Sequence, residues 1–232
     1  MSLTPKDPET NRDKLLDTHV GMIHPEFESL VQRIIQTVDK EALTELRRDF
    51  HARLRITLTQ PDRGDLIEDL WDFFYDWCVF EQKLPDTIDN LTVPEREMWN
   101  QVREGHERGL FTIKSASPEA LKIKELFTGK SYLIHKKGNA DFLGIARGDI
   151  IEVRLVPAQE GEKSKAYCFV RRPSYHPAAV HDYIKKKVRQ FKKAKDMLSY
   201  QSWLWLLVGM YLKHRIYHHM PIDKIYDDNS RI

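Results

Sequence analysis

One segment of the chain concentrates positive charge at helical spacing. Residues 185–195 hold seven Lys or Arg side chains, while Ile184, Val188 and Phe191 form an apolar stripe at intervals of three and four. Cations along one side of a helix can neutralise phosphates and release their counterions, which favours nucleic acid without specifying its sequence. The same pattern also fits an acidic protein surface, an anionic membrane surface, or a helix face that is simply hydrated.

Two further cations precede this run in a proline-containing loop. Arg171 and Arg172 are followed by Pro173 and Pro177, whose rings fix the backbone and favour a rigid corner. Such loops often carry binding function, so a phosphate-binding loop is the alternative interpretation. The interaction surface that the sequence predicts comprises Arg171, Arg172, Lys185, Lys186, Arg189, Lys192 and Lys193.

Four aspartates form an acidic stripe along a strongly aromatic segment. Asp65, Asp69, Asp72 and Asp76 are spaced four, three and four residues apart, and six aromatic residues lie within 71–80. We interpret this segment as a central packing helix with one hydrated face. A docking face for a basic partner, in this chain or in another molecule, is the alternative. A carboxylate pair for metal binding or acid–base chemistry is disfavoured because no His shares the stripe.

The reactive and metal-binding residue types form no recognisable catalytic motif. The chain lacks the glycine-rich nucleotide motifs, the G-x-S-x-G motif and the H-E-x-x-H motif. Cys78 and Cys168 fit small core residues better than nucleophiles. His214 and His218 have the spacing of a zinc pair, but without a third ligand they are better explained as positive charge near a helix end. We therefore predict no catalytic residue, no metal and no cofactor.

The elements that must position these residues change in character along the chain. Helical periodicity dominates the first half, five short β-branched runs separated by turn residues follow, and two helices end the sequence. We predict an α+β fold with an N-terminal helical bundle, a small five-stranded barrel or bent antiparallel sheet, and a C-terminal helical pair. The predicted divisions are a polar tail 1–23, a helical domain 24–109, a β domain 110–177, helices 178–220 and a tail 221–232.

The overall charge hides a strong asymmetry between the two halves. Lys plus Arg is 37 and Asp plus Glu is 35, for a formal net charge of +2 over 232 residues. Residues 1–109 carry 14 basic and 23 acidic side chains, a net of −9, and residues 110–232 carry 23 and 12, a net of +11. Near-neutrality excludes a uniformly cationic coat protein. The asymmetry indicates either halves that attract each other or halves with different partners.

A tryptophan-rich apolar stretch at 197–215 raises a separate membrane question. Its cationic flanks fit an interfacial anchor, although its apolar residues fall on nearly all sides, which favours a core helix. The nearly uncharged part, 197–212, is shorter than the ~20 residues of a membrane span. The N-terminus has no secretory pattern, so we predict a cytoplasmic protein without a transmembrane segment.

Two short segments carry a resemblance to known sequences. Asp76-Trp77-Cys78-Val79-Phe80 and the later run 147–157, Arg-Gly-Asp-Ile-Ile-Glu-Val-Arg-Leu-Val-Pro, resemble a group of uncharacterised bacterial proteins. That group pairs a DWFLF-type aromatic helix with a small β domain whose strand reads GD-apolar-apolar-x-ARL. Here Cys78 replaces the usual aromatic residue and Val153 the usual Ala. The resemblance covers about residues 65–177 and implies this layout and a bacterial source, but no activity.

Taken together, these features favour a non-enzymatic interaction or adaptor protein whose basic C-terminal face binds an acidic partner. The first alternative is a nucleic-acid-binding protein that uses the basic helix at 185–195. The second is peripheral membrane attachment through 197–215. If the acidic stripe packs against the basic helix within the chain, the cations are already paired and the hypothesis of an external partner loses most of its support.

Overall fold

The computed structural model describes residues 25–56, 64–82, 91–135, 145–158 and 166–230. The described residues form helices in two groups, separated by strands. The first group is α1 Pro25–Thr37, α2 Lys40–Leu54, α3 Gly64–Phe80 and α4 Val93–Gly105. The second group is α5 His181–Ala194, α6 Met197–Ile216 and the short α7 Ile222–Ile225, and a 3-10 turn, Ala178–Val180, precedes it.

Local sequence explains where several helices begin and end. Asp39 caps α2 by accepting hydrogen bonds from the backbone N–H groups of Glu41 and Ala42, at 2.9 and 3.1 Å. Before α4, the carboxylate of Glu95 accepts from the backbone N–H of Thr92 at 2.9 Å. The helical character that the sequence predicts for the first half corresponds to α1 to α4.

Between the helical groups, five strands close into a barrel and a sixth extends one of its sides. The strands are β1 Glu107–Ala116, β2 Ala120–Glu125, β3 Ser131–His135, β4 Ile150–Pro157, β5 Tyr167–Phe169 and β6 Ser174–His176. They follow the order β1-β2-β3-β5-β4, and pairing of β4 with β1 closes the circuit. All pairings are antiparallel except β3 with β5, where Ile134 lies opposite Tyr167.

The strand β4 is buried on both faces and therefore joins the barrel to the helices. Ile151, Val153 and Leu155 point into the barrel with residues such as Phe111 and Ile123. The alternate residues, among them Glu152, face outward and are equally buried. At β4 the outer face of the barrel is thus covered by helices, whereas Lys122 and Lys124 on the outer face of β2 are exposed.

Helix α6 is the central element of the molecule. Its Trp205, Val208 and Tyr211 belong to the core that α1 to α4 build. Its Leu204 and Leu207 belong to a second core with α5, α7 and the barrel. A helix that is apolar around its whole circumference has to be surrounded by protein, as this one is.

The predicted fold class is confirmed. The structure is α+β, with N-terminal helices, a closed five-stranded barrel and a C-terminal helical pair. Two details differ from the sequence prediction. The sheet is not wholly antiparallel, and part of the predicted corner at 171–177 forms β6, because Ser174, Tyr175 and His176 pair with Glu152, Ile151 and Ile150.

The domain divisions stay a prediction, and the predicted tail at 1–23 lies outside the described residues. The other predicted tail, 221–232, includes α7, whose Ile225 is completely buried beside Tyr226. Within the described ranges, no helix combines the length and the apolar character that crossing a bilayer would need.

Candidate functional site

Helix α5 packs one side against the protein and turns the other side to solvent. Ile184 and Val188 are buried, and Phe191 is half-buried against the rings of Tyr200 and Trp203 on α6. The apolar residues that recur at intervals of three and four in the sequence are therefore the ones that pack against the protein. The helix ends at Lys195, which adopts a left-handed conformation with φ of 55°.

The exposed side of α5 holds most of its cations. Lys185, Lys186, Arg189, Lys192 and Lys193 are all exposed. At 3.6 residues per turn they fall within an arc of about 120° and along about 12 Å of helix. In the described part of the chain, no acidic side chain forms an ion pair with any of these five.

The sixth cation of the helix has a different environment. Lys187 is half-buried and forms an ion pair with Asp228 of the C-terminal segment. The carboxylate of Asp228 also accepts hydrogen bonds from the hydroxyl of Tyr183 and, at 3.1 Å, from the indole N–H of Trp203. Burial by itself raises the pKa of Asp228, but the hydrogen bonds from Lys187, Tyr183 and Trp203 lower it below its usual value. Asp228 therefore fastens the chain end to α5 and α6.

The turn from α5 to α6 carries exposed apolar side chains beside the cations. Lys195 is exposed, and two residues later Met197 and Leu198 are 39% and 83% exposed. Asp196 fixes the start of α6 by accepting a hydrogen bond from the backbone N–H of Ser199 at 3.0 Å. We refer to Met197 and Leu198 as the apolar tip.

Of the two arginines predicted to extend this surface, only one is exposed. Arg172 is exposed, whereas Arg171 is 6% exposed and forms an ion pair with the completely buried Glu152. Including Arg171 in the binding surface was wrong. Its guanidinium lies 4.1 Å from the ring centroid of Phe73 on α3, at the junction of helices and barrel.

The described side chains of the acidic stripe, Asp69, Asp72 and Asp76, form no ion pair with the exposed cations of α5. Asp76 is 4% exposed and binds Arg154 of β4 through two hydrogen bonds of 2.7 and 3.1 Å. Asp69 forms an ion pair with Arg215 at the end of α6. Asp72 is half-buried, and the side chain of Asp65 lies outside the described part. The stripe therefore faces the rest of the protein at Asp69 and Asp76, rather than forming one hydrated face.

A buried ion network joins α3 to the barrel. Its cations are Arg108, Arg154 and Arg171, and its anions are Asp76, Glu81 and Glu152. Each arginine also lies against an aromatic ring, at 3.4 Å for Trp205 and Arg108, 4.2 Å for Phe80 and Arg154, and 4.1 Å for Phe73 and Arg171. The three buried arginines are thus paired with the buried Asp76 and Glu152 and with the exposed Glu81, which also lies 3.8 Å from Arg53.

The carboxylates of Asp76 and Glu152 remain ionised despite their burial. Burial alone raises the pKa of Asp76, but Arg154 and Arg171 lower it below the usual range. Burial likewise raises the pKa of Glu152, and Arg171 and Arg108 more than offset that effect. These charges hold elements together, and Glu81 is the member of the network that reaches solvent.

The histidines and cysteines form no reactive group in the described part of the chain. His176 is buried with its Nδ1 atom 3.2 Å from the Tyr226 hydroxyl, and burial lowers its pKa to about 3, so the ring is neutral. Burial raises the pKa of the Cys78 thiol to about 12. No three His, Cys, Asp or Glu side chains of the described residues come together as a metal site would need.

Attachment to a membrane through the length of 197–215 does not fit the folded chain. Trp203, Leu204, Trp205 and Leu207 are at most 6% exposed, because α6 is the shared core helix. Of the apolar residues in this stretch, Met197 and Leu198 at its start are exposed and Leu206 is half-buried. Nothing in the composition or spacing of 197–215 distinguishes Leu198 from the residues after it.

A shallow groove of about 630 Å³ lies on the barrel. Lys122, Lys130, Leu133 and Tyr167 contribute to its lining. Lys130 is already paired with Glu107 at 2.8 Å, which leaves one cation of this lining, Lys122, against five on the exposed side of α5. We therefore regard the exposed side of α5, with the apolar tip, as the candidate site.

Comparison with known proteins identifies no relative. No family model, no curated protein and no solved structure matches the chain.

Proposed function

We propose that this protein is a non-enzymatic interaction protein that binds an acidic partner through the exposed side of α5. The observation that carries the proposal is the exposure of Lys185, Lys186, Arg189, Lys192 and Lys193 on one arc of the helix. Like charges held this close repel one another, and a negatively charged partner relieves that repulsion.

Internal pairing accounts for part of the charge asymmetry but not for these five side chains. Asp69 and Asp76 of the acidic stripe pair with Arg215 and Arg154, which belong to other elements. Lys187 is the α5 cation that pairs with a described acidic residue, Asp228. The remaining positive charge of α5 is thus available to another molecule.

Nucleic acid is the second candidate for the acidic partner. Cations spread along about 12 Å of a straight helix can meet successive phosphates of one strand. Such binding would be steeply salt-dependent and would carry little sequence information, because the side chains reach phosphates rather than base edges.

We also propose a bacterial, cytoplasmic protein of the group with the DWFLF-type helix. The support is that the two segments that carry the resemblance meet in the fold, since Asp76 of one binds Arg154 of the other. A family built on these motifs would need both segments to form this junction.

Retention on heparin, a sulfated polyanion, tests the proposal. We expect the protein to bind at low salt, and the variant Lys186→Gln/Arg189→Gln/Lys193→Gln to elute at clearly lower salt because three exposed cations of α5 are removed. The matched control is Lys114→Gln/Lys122→Gln/Lys124→Gln, which removes three exposed lysines from the barrel. The control should elute with the unmodified protein. Equal shifts for both variants, or no retention at low salt, would contradict the proposal.

A further inference from the structure

We infer that the acidic partner is an anionic membrane surface, with the apolar tip entering the lipid and the α5 cations contacting the headgroups. This inference rests on the proposed function, because it uses the same exposed side of α5. It replaces attachment along 197–215 with attachment at one end of α6. The partner is identified by its chemistry, which is negative charge over an apolar layer.

The apolar tip is the first observation behind this inference. Leu198 is 83% exposed and Met197 is 39% exposed, and among the described residues Val93 is the other large apolar side chain with such exposure. A single exposed aliphatic residue is ordinary on a protein surface. Two adjacent ones at the tip of a turn, next to a cluster of cations, form an amphipathic edge instead.

The second observation is the proximity of charge to this tip. Lys195 precedes Leu198 by three residues, so their Cα atoms are at most about 11 Å apart. Lys192 and Lys193 lie in the last turn of α5. Cations within a Debye length of a membrane are attracted to its anionic lipids, and the tip then lies where aliphatic side chains can enter.

The third observation is that the turn is held in place before it binds anything. Lys195 closes α5 through hydrogen bonds from its backbone N–H to the carbonyls of Lys192 and Phe191, and Asp196 caps α6. Phe191 packs against Trp203, with ring centroids 5.6 Å apart, behind the turn. Binding therefore needs little ordering of the chain, which favours affinity.

An anionic membrane explains these features better than nucleic acid does. Phosphate neutralisation uses the lysines and arginine alone, and an aliphatic side chain such as Leu198 contributes nothing to it. A lipid surface uses both, because apolar area is transferred from water while cations meet headgroups. An exposed Leu198 therefore contributes to membrane binding but not to nucleic-acid binding.

Sedimentation with lipid vesicles tests the inference on the full chain. We expect pelleting with phosphatidylcholine vesicles that contain about a third phosphatidylglycerol, and none with phosphatidylcholine alone. Leu198→Ser should weaken vesicle binding about tenfold, because most of the apolar area that enters the lipid is lost. The matched control is Val93→Ser, which removes an aliphatic residue of similar exposure (71%) from α4 and should bind vesicles normally.

The outcomes separate this inference from the proposed function. Leu198→Ser should keep its heparin retention, since all α5 cations remain. Retention on heparin without vesicle binding would overturn the membrane inference and leave the acidic-partner proposal standing. Equal vesicle binding by Leu198→Ser and the unmodified chain would also overturn it. A shift of single-stranded or duplex DNA that does not depend on Leu198, with no vesicle binding, would identify nucleic acid as the partner instead.

Discussion

Each arginine of the buried ion network makes a salt bridge and a contact with an aromatic face. Arg154 shows the arrangement most fully, with two hydrogen bonds to Asp76 and the ring of Phe80 at 4.2 Å. The desolvation of two charges is costly, so such a pair adds modest net stability. Losing one partner is different, because the other is then left charged and unpaired inside the protein.

We expect Asp76→Asn to lower the free energy of unfolding by about 3–5 kcal/mol, because Arg154 loses its buried counter-charge. Arg154→Met should cost a comparable amount, and the double variant should cost less than the sum by about 1–3 kcal/mol. Urea unfolding monitored by circular dichroism measures all three. The control is Lys130→Met, which breaks an exposed ion pair with Glu107 and should cost no more than about 1 kcal/mol. Strictly additive effects would show that Asp76 and Arg154 are not coupled.

At the residue scale, sequence periodicity located the acidic stripe correctly but not its surroundings. The spacing of Asp69, Asp72 and Asp76 places them on one side of a helix, and we interpreted that side as hydrated. In the structure, the partner of Asp76 lies 78 positions away in β4. Helical spacing reports which residues share a face, whereas the partner of that face depends on how distant elements pack. The same limit explains why Arg171 was expected on the surface.

At the element scale, α6 owes its central position to composition and to one glycine. Gly209 lies so close to α2 that a Cβ atom built on it would be 2.0 Å from the carbonyl oxygen of Leu54. The two helix backbones thus approach more closely than any side chain would allow. Trp205 on α6 packs edge-on against Phe50 of α2, with centroids 5.7 Å apart, which fixes the same contact.

Replacing Gly209 with Ala tests this close contact. In an exposed helix the change would stabilise the protein by up to about 1 kcal/mol, because Ala is the better helix former. Here we expect a loss of about 1–3 kcal/mol, since α2 and α6 must separate to admit the methyl group. Ser202→Ala, at an exposed position of the same helix, should change stability by less than about 0.5 kcal/mol. An unchanged or higher melting temperature for Gly209→Ala would contradict the contact.

Element types were predictable from the sequence to a large extent. Helical periodicity predicted the helical character of α1 to α6, and β-branched runs between turn residues predicted β1 to β5. The sequence left a closed barrel and a bent open sheet as alternatives. Closure depends on β4 pairing with both β1 and β5, and β1 is distant from β4 in the sequence. Strand β6 was missed because its three residues, Ser174–His176, carry no β-branched side chain and follow a proline.

At the scale of the whole molecule, the charge asymmetry has two components, which are ion pairs between the halves and an excess of exposed cations. Acidic residues of the first half, Asp69 and Asp76, pair with Arg215 and Arg154 of the second half. The exposed cations of α5 remain in excess after this internal pairing. A net charge of +2 therefore describes neither the junction of the two halves nor the surface of α5.

We expect the described helices and barrel to unfold in a single transition, because α6 belongs to two hydrophobic cores. Far-UV circular dichroism, which reports mainly helix, and tryptophan fluorescence should give the same urea midpoint. Leu207→Ala removes a completely buried side chain of α6 and should shift both midpoints equally while lowering stability by about 2–5 kcal/mol. Two separate midpoints would show that the α1–α4 group and the barrel unfold independently.

The late position of α6 has a consequence for synthesis of the chain. The core of the first four helices lacks Trp205, Val208 and Tyr211 until about a hundred further residues have been translated. At a translation rate of about 5–20 residues per second, the aromatic surface of α3 lacks its contacts with α6 for on the order of 5–20 s. A nascent chain of this protein should therefore need protection at the ribosome during that interval, and a premature stop before α6 should yield an aggregating fragment rather than a smaller folded protein.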